Sequence, residues 1–146
     1  MKKSDLIDNY TAILTTQQYK NVPAIDGVVL VQLTYQKDDT GEFVELGRFR
    51  QGIFEYRNTQ QVTFPPFHIA QTNMSVLLPG AVKAFHLHFD QTDVWYVPPH
   101  QRLLVGLLDT RKNSPSADKT MRFVLGANSA QLLVIPPGVA HGAANP

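Results

Sequence analysis

Four proline clusters constrain the fold of this chain more than any other feature: Pro65-Pro66, Pro79-Gly80, Pro98-Pro99 and Pro136-Pro137-Gly138. Proline cannot donate to a β ladder, so clusters like these belong at strand ends and turns. Between them lie short runs rich in β-branched and aromatic residues, which read as strands at 28–35, 42–49, 52–56, 61–64, 68–78, 82–89, 94–97, 102–110, 121–125 and 131–135. Asp38-Asp39-Thr40-Gly41 is a turn, so 28–49 is expected to be one hairpin. Many short strands with regular turn signals predict an all-β fold, an antiparallel barrel, jelly roll or sandwich.

The N-terminal residues break this pattern. Ser4 is an N-cap candidate, Asp5 and Asp8 sit near a first turn, and Leu6, Tyr10, Ile13 and Leu14 share one face at helical spacing. A short helix over 4–18 is expected, so 1–25 reads as helix and arm and 26–146 as the barrel of one domain. A length of 146 residues suits that plan, and 43% hydrophobic residues excludes a disordered chain. Lys plus Arg (13) nearly balances Asp plus Glu (12), with no basic block, so nucleic acid is not an expected partner. Cysteine is absent, which removes disulfides, thiolate metal sites and a cysteine nucleophile, and fits a cytoplasmic location. No apolar run approaches the ~20 residues of a membrane helix, and no apolar stretch follows Lys2-Lys3, so neither membrane span nor secretory signal is expected. An apolar helix stripe and exposed sheet edges favour self-association, with a homodimer as the default.

The chemistry concentrates in two segments. Gly80 is followed after five residues by His86-Leu-His88, and Pro136-Pro-Gly138-Val-Ala-His141 is followed after three residues by Asn145. Side chains alternate along a strand, so Val82, Ala84, His86 and His88 are expected on one face, lining a pocket. Lys83, Phe85, Leu87 and Phe89 are expected on the other, packed against a second layer. His-x-His in a strand lets two imidazoles meet one ion, and His141, after a Pro-Pro-Gly turn, can close the same site. His68 and His100 have no such company and read as ordinary histidines of a β protein.

The two segments resemble the paired motifs of the cupin superfamily, with Asp93 where an acid would follow the first. Within it the chain is most similar to the dTDP-4-dehydrorhamnose 3,5-epimerase family, over roughly 28–145. Val134-Ile-Pro-Pro-Gly-Val-Ala-His141-Gly resembles that family's Ile-Pro-x-Gly-Phe-Ala-His-Gly, and Asp109-Thr-Arg111-Lys-Asn-Ser114-Pro115 its Asp-x-Arg-x-x-Ser-Pro. Asp39-Thr40-Gly41-Glu-Phe43-Val-Glu45 and Asn73-Met-Ser75, followed by Val82-Lys83-Ala84-Phe85-His86, supply two further matches in the right order. The resemblance implies a cupin barrel acting on a nucleotide sugar with a 4-keto-6-deoxy ring, without metal or redox cofactor. His86 would be the base that removes a proton beside the ketone. Lys83 and Asn73 would contact substrate, and His88 and His141 would shape the pocket.

The chain departs from the family at defined positions. Thr40 and Lys83 stand where arginines are expected, Val94 and Val105 where a lysine and an aspartate are expected, and His88 where glutamine is usual. Lysine keeps the charge of arginine but loses its bidentate fork. The family's catalytic tyrosine and the acid that orients its base lie past the Ala-His-Gly turn. Either the natural reading frame continues past Pro146 and supplies both, or this protein does not run the chemistry in the family way. Tyr35, Tyr56 and Tyr96 are substitute donors only in principle. Two other readings stay open: a metal-dependent cupin binding Zn, Ni, Mn or Fe through His86, His88 and His141, helped by Asp93, and a non-catalytic cupin that binds a sugar or nucleotide.

Overall fold

The computed structural model describes residues 24–55 and 67–146. The expected helix over 4–18 and strand over 61–64 lie outside the described residues. The remainder is all β, with twelve strands paired antiparallel: β1 (Val29–Gln32), β2 (Tyr35–Lys37), β3 (Glu42–Val44), β4 (Arg48–Arg50), β5 (Ile53–Glu55), β6 (Phe67–His68), β7 (Val82–His86), β8 (Asp93–Tyr96), β9 (Arg102–Asp109), β10 (Thr120–Gly126), β11 (Gln131–Ile135) and β12 (Val139–Ala144).

Two sheets carry the fold, ordered β1-β11-β8 and β10-β9-β12-β7, with smaller sheets β2-β3 and β4-β5-β6. One hydrophobic cluster joins Leu133 and Ile135 of β11 to Val105 and Leu107 of β9, Leu125 of β10 and Val139 of β12. A second joins Val31, Leu33, Phe54, Ala130 and Leu132, with Tyr35, Val44, Phe67 and Tyr96 packed on it. Leu132 and Leu133 point to opposite faces of β11, so the β1-β11-β8 sheet is covered on both sides. This explains the unbroken apolar run Leu132-Leu-Val-Ile135, a pattern of strands buried on both faces. β9 has one face inside and shows alternation instead, with Val105, Leu107 and Asp109 buried.

Three expectations change. The hairpin is confined to β2 and β3, because β1 leaves its neighbour and pairs with β11. The ladder ends where Leu33 N–H and the Gln32 side-chain amide both donate to the Ala130 carbonyl, at 2.9 Å each. At the hairpin turn, Asp38 Oδ1 accepts from Thr40 N–H, Thr40 Oγ1–H and Gly41 N–H, an Asx turn, so Thr40 works locally. The expected strand over 68–78 shrinks to its first residue plus Phe67, and Met74, Val76 and Leu78 are exposed. The segment is held instead by Asn145, whose side-chain amide donates to the Leu77 carbonyl at 2.8 Å. Gly80 and Ala81 bond the Asn145 backbone, which leads the chain into β7. Finally, the Pro-Pro-Gly turn is followed by the strand β12, which the sequence reading did not assign.

Candidate active site

β12 lies between β9 and β7, and this placement builds the site. His141 pairs with Leu107 on one side and His86 on the other; Ala143 pairs with Val105 and Lys83. Two residues of β7, Ala84 and Phe85, therefore stand against the single Gly142, a bulge. The extra residue resets the alternation. Paired residues share a face, and His141 and Ala143 share one, so Lys83 and His86 lie on the same face. The expected set of Val82, Ala84 and His86 is broken at the bulge. Gly142 is needed there: a Cβ on it would lie 2.5 Å from Ala84 Cβ and 3.0 Å from the Lys83 carbonyl oxygen.

The apolar residues of the histidine segment also differ from expectation. Phe85 lies over Gly106 but is 66% exposed, and Leu87 and Phe89 are exposed as well. β7 is the terminal strand of its sheet, so among the described residues no further layer covers this side.

His141 is the buried centre of the site, at 2% exposure. Its ring packs against His86 (centroids 6.3 Å, stacked), His88 (5.3 Å) and the edge of Trp95 (5.3 Å). His86 itself is exposed at the end of β7. His88 lies just past that strand, half-buried, with its carbonyl accepting from Gly138 N–H at 2.8 Å. Across the gap between the sheets, β8 contributes Asp93 and Trp95, two residues apart and on one face. Asp93 Oδ2 lies 3.3 Å from His141 Nε2 and 3.6 Å from His88 Nε2. Donor atoms of His88, Asp93 and His141 all fall within 4.8 Å of one another; His86 is outside that group. Asn73 is exposed, and its side-chain oxygen accepts from Gln71. Trp95 and Gln91, which contact Asp93, are additions to the residues expected from the sequence. Their signal was the alternation Gln91-x-Asp93-x-Trp95 beside the histidine segment.

Tyr35 and Tyr96 pack on the second cluster, on the far side of the β1-β11-β8 sheet from His141. A hydrogen bond to the Glu42 carboxylate pushes the Tyr35 hydroxyl up to about 12, and burial raises Tyr96. Neither reaches the histidines. Tyr56 lies outside the described residues.

The Asp-x-Arg-x-x-Ser-Pro segment closes the same end of the barrel as a structural knot. Asp109 is fully buried and accepts from Arg111 Nε (2.8 Å), Arg111 Nη2 (2.9 Å), Arg111 N–H (3.1 Å), Ser114 Oγ (2.5 Å) and Ser116 Oγ (2.6 Å). The Arg111 guanidinium, foremost, holds the Asp109 carboxyl far below the usual carboxylate range. Arg111 also donates to the Asp26 carbonyl, and Asp26 N–H donates to Ser116 Oγ, which pins the start of the described chain to the end of β9.

The chain is similar to known proteins over most of its length. The family pattern described as dTDP-4-dehydrorhamnose 3,5-epimerase matches residues 23–145. The chain is 36% identical over 118 residues to the spore coat polysaccharide biosynthesis protein SpsL of Bacillus subtilis, covering 81% of this chain and 70% of that protein. It is 30% identical over 121 residues to the probable low-salt glycan biosynthesis epimerase Agl13 of Haloferax volcanii, covering 83% and 70%. Among solved structures, a dTDP sugar isomerase from Desulfovibrio desulfuricans superposes with a TM-score of 0.61 at 26% identity, covering 83% of this chain and 69% of that one. The match takes in the histidine strand, the knot at Asp109 and the β12 strand that carries His141, and it makes this chain a member of the dTDP-4-dehydrorhamnose 3,5-epimerase family, an isomerase family with the cupin jelly-roll fold.

Proposed function

We propose that the protein is a sugar-nucleotide epimerase that removes a proton beside the ketone of a 4-keto-6-deoxy sugar, with His86 as the base. The observation that carries this reading is the position of His86: an exposed imidazole at the end of β7, backed by the buried ring of His141. A carbon acid beside a ketone is within reach of a positioned imidazole, which can accept a proton and return one. Lys83, brought onto the face of His86 by the bulge, supplies a cation for the developing enolate oxygen or for the substrate's phosphates. Asn73 is a further substrate contact. Exchange of the proton needs only the base; inversion also needs a donor on the opposite face, which is neither Tyr35 nor Tyr96. No cofactor takes part in this step.

The protein works in this reading as a cytoplasmic homodimer, paired through the exposed β7 edge with Val82, Phe85 and Phe89. Among the described residues, no helix is long and apolar enough to cross a membrane. The test is incubation with a dTDP-linked 4-keto-6-deoxy sugar in heavy water. Deuterium should enter the carbon beside the ketone. An intact, folded protein that gives no exchange refutes the reading, and tight binding without exchange would favour a binding-only cupin.

A further inference from the structure

We propose that residues 4–18 form an amphipathic helix that docks, within the same chain, on the outer face of the β10-β9-β12-β7 sheet. Val105, Leu107, Leu125 and Val139 of this sheet point into the first hydrophobic cluster. Side chains alternate along a strand, so the residues between them face outward. That outer face is apolar. It carries Leu104 and Leu108 of β9, Val124 of β10, Ala140 and Ala144 of β12, and Val82, which pairs with Ala144. Gly106 and Gly142 pair side by side in its middle and keep it flat. The Phe85 ring lies on the same side, 3.8 Å from where a Cβ on Gly106 would stand. Among the described residues no layer covers this face: Val82 is 69% exposed and Val124 is 45% exposed. Its charges, Arg102 and Arg122, come from the first residue of β9 and from the terminal strand β10.

The segment fits this face in pattern, length and point of entry. Leu6, Tyr10, Ile13 and Leu14 share one side of a helix. A helix of this length is marginal in water and holds when its apolar side is packed. The stripe spans about 12 Å along a helix axis, and four strands span about 14 Å. The first described residues lead to the rim of the face. Ile25 N–H donates to Met121 Sδ at 3.2 Å, and Asp26 N–H donates to Ser116 Oγ at 2.7 Å. The chain therefore joins the barrel beside the start of β10, the terminal strand. Residues 19–24 reach at most about 20 Å when extended, more than the distance of about 10 Å between packed layers. The family pattern matches from residue 23 onward, so this helix is an element outside the shared barrel. It leaves the free edge of β7 open beside it.

The experiment reads backbone hydrogen exchange by mass spectrometry on the full chain, along a dilution series followed by sedimentation. Amides of residues 8–18, those with a partner inside the helix, should exchange at least about ten-fold more slowly than in an unstructured peptide, in monomer and dimer alike. Val124→Asp places a charge on the outer face and should release that protection while the amides of β11 stay protected, which marks an intact barrel. Val124→Lys serves the same purpose if the aspartate variant does not fold. Ile13→Ser should release the same amides, lower the melting temperature by a few degrees and raise binding of an apolar dye. Residues 8–18 exchanging as fast as a free peptide in the native chain overturn the proposal. Protection that survives the Val124 variants overturns it equally, because the stripe then packs elsewhere. Protection that tracks the dimer fraction also overturns it and assigns the stripe to a second copy. No substrate is used, so this failure is distinct from a failure of the epimerase reading.

Discussion

Replacing Asp109 with asparagine tests how far the barrel depends on the knot at the end of β9. The substitution is nearly isosteric but removes the charge that Arg111 pairs with. Hydrogen bonds to a charged group contribute about 1.5–3 kcal/mol each, and Asp109 accepts from the Arg111 guanidinium, its backbone N–H and two serines. Their sum overstates the loss, because the Arg111 side chain is 27% exposed and regains water. Breaking a buried pair costs about 3–5 kcal/mol, and the exposure of Arg111 points to the lower end, about 3 kcal/mol. With an m-value of about 2 kcal/mol/M, the urea midpoint should fall by roughly 1.5 M. The pH dependence carries a second signature. Asp109 has a depressed folded pKa, so its contribution is complete above the unfolded value near ~4 and is lost progressively as pH falls below it toward the folded value. The gap between native chain and Asp109→Asn should therefore be full at pH 7 and shrink below about pH 4. Urea unfolding at several pH values measures both. A variant within about 0.5 kcal/mol of the native chain, or a gap that does not shrink in acid, would mean that the Asp109 knot does not stabilise the barrel.

Other substitutions probe the site and the core. Gly142→Ala puts a Cβ against Ala84 and the Lys83 carbonyl, so β7 must shift; about 1–3 kcal/mol of destabilisation and a loss of solvent exchange into substrate are expected. Leu133→Ala, at a fully buried position between the two main sheets, should cost about 2–5 kcal/mol in denaturant unfolding. Lys83→Ala, at an exposed position, should leave stability within about 0.5 kcal/mol while raising KM for the nucleotide sugar or slowing exchange.

Most strands were legible because their cues are local. β9, β10 and β11 follow from runs of apolar and β-branched residues bounded by proline or glycine. β12 was missed because Val139-Ala-His-Gly-Ala-Ala144 carries little β propensity; it is a strand because β9 and β7 flank it and small residues let β7 approach. The failure of the 28–49 hairpin has the same origin. Local pattern marks Val28–Tyr35 as extended, but the partner of β1 is β11, about a hundred residues away in sequence. At the site, the spacing of His86, His88 and His141 pointed to one cluster, and the three rings do lie together. Period-two alternation could not show the bulge at Gly142, which moves Lys83 onto the face of His86 and depends on pairing between distant strands. Nor could it show that Asp93 closes against His88 and His141 and leaves His86 apart, because that contact crosses from one sheet to the other.

The proposed role of His86 as the base is open to a single comparison. The native chain and His86→Gln, both confirmed folded, are incubated with a dTDP-linked 4-keto-6-deoxy sugar in heavy water, and the rate of mass gain in the sugar is followed. His86 is exposed, so the substitution should leave the fold intact. Steady deuterium uptake is expected with the native chain, and a rate lower by about 10²–10⁴-fold in the variant. Equal rates in the two proteins would contradict it.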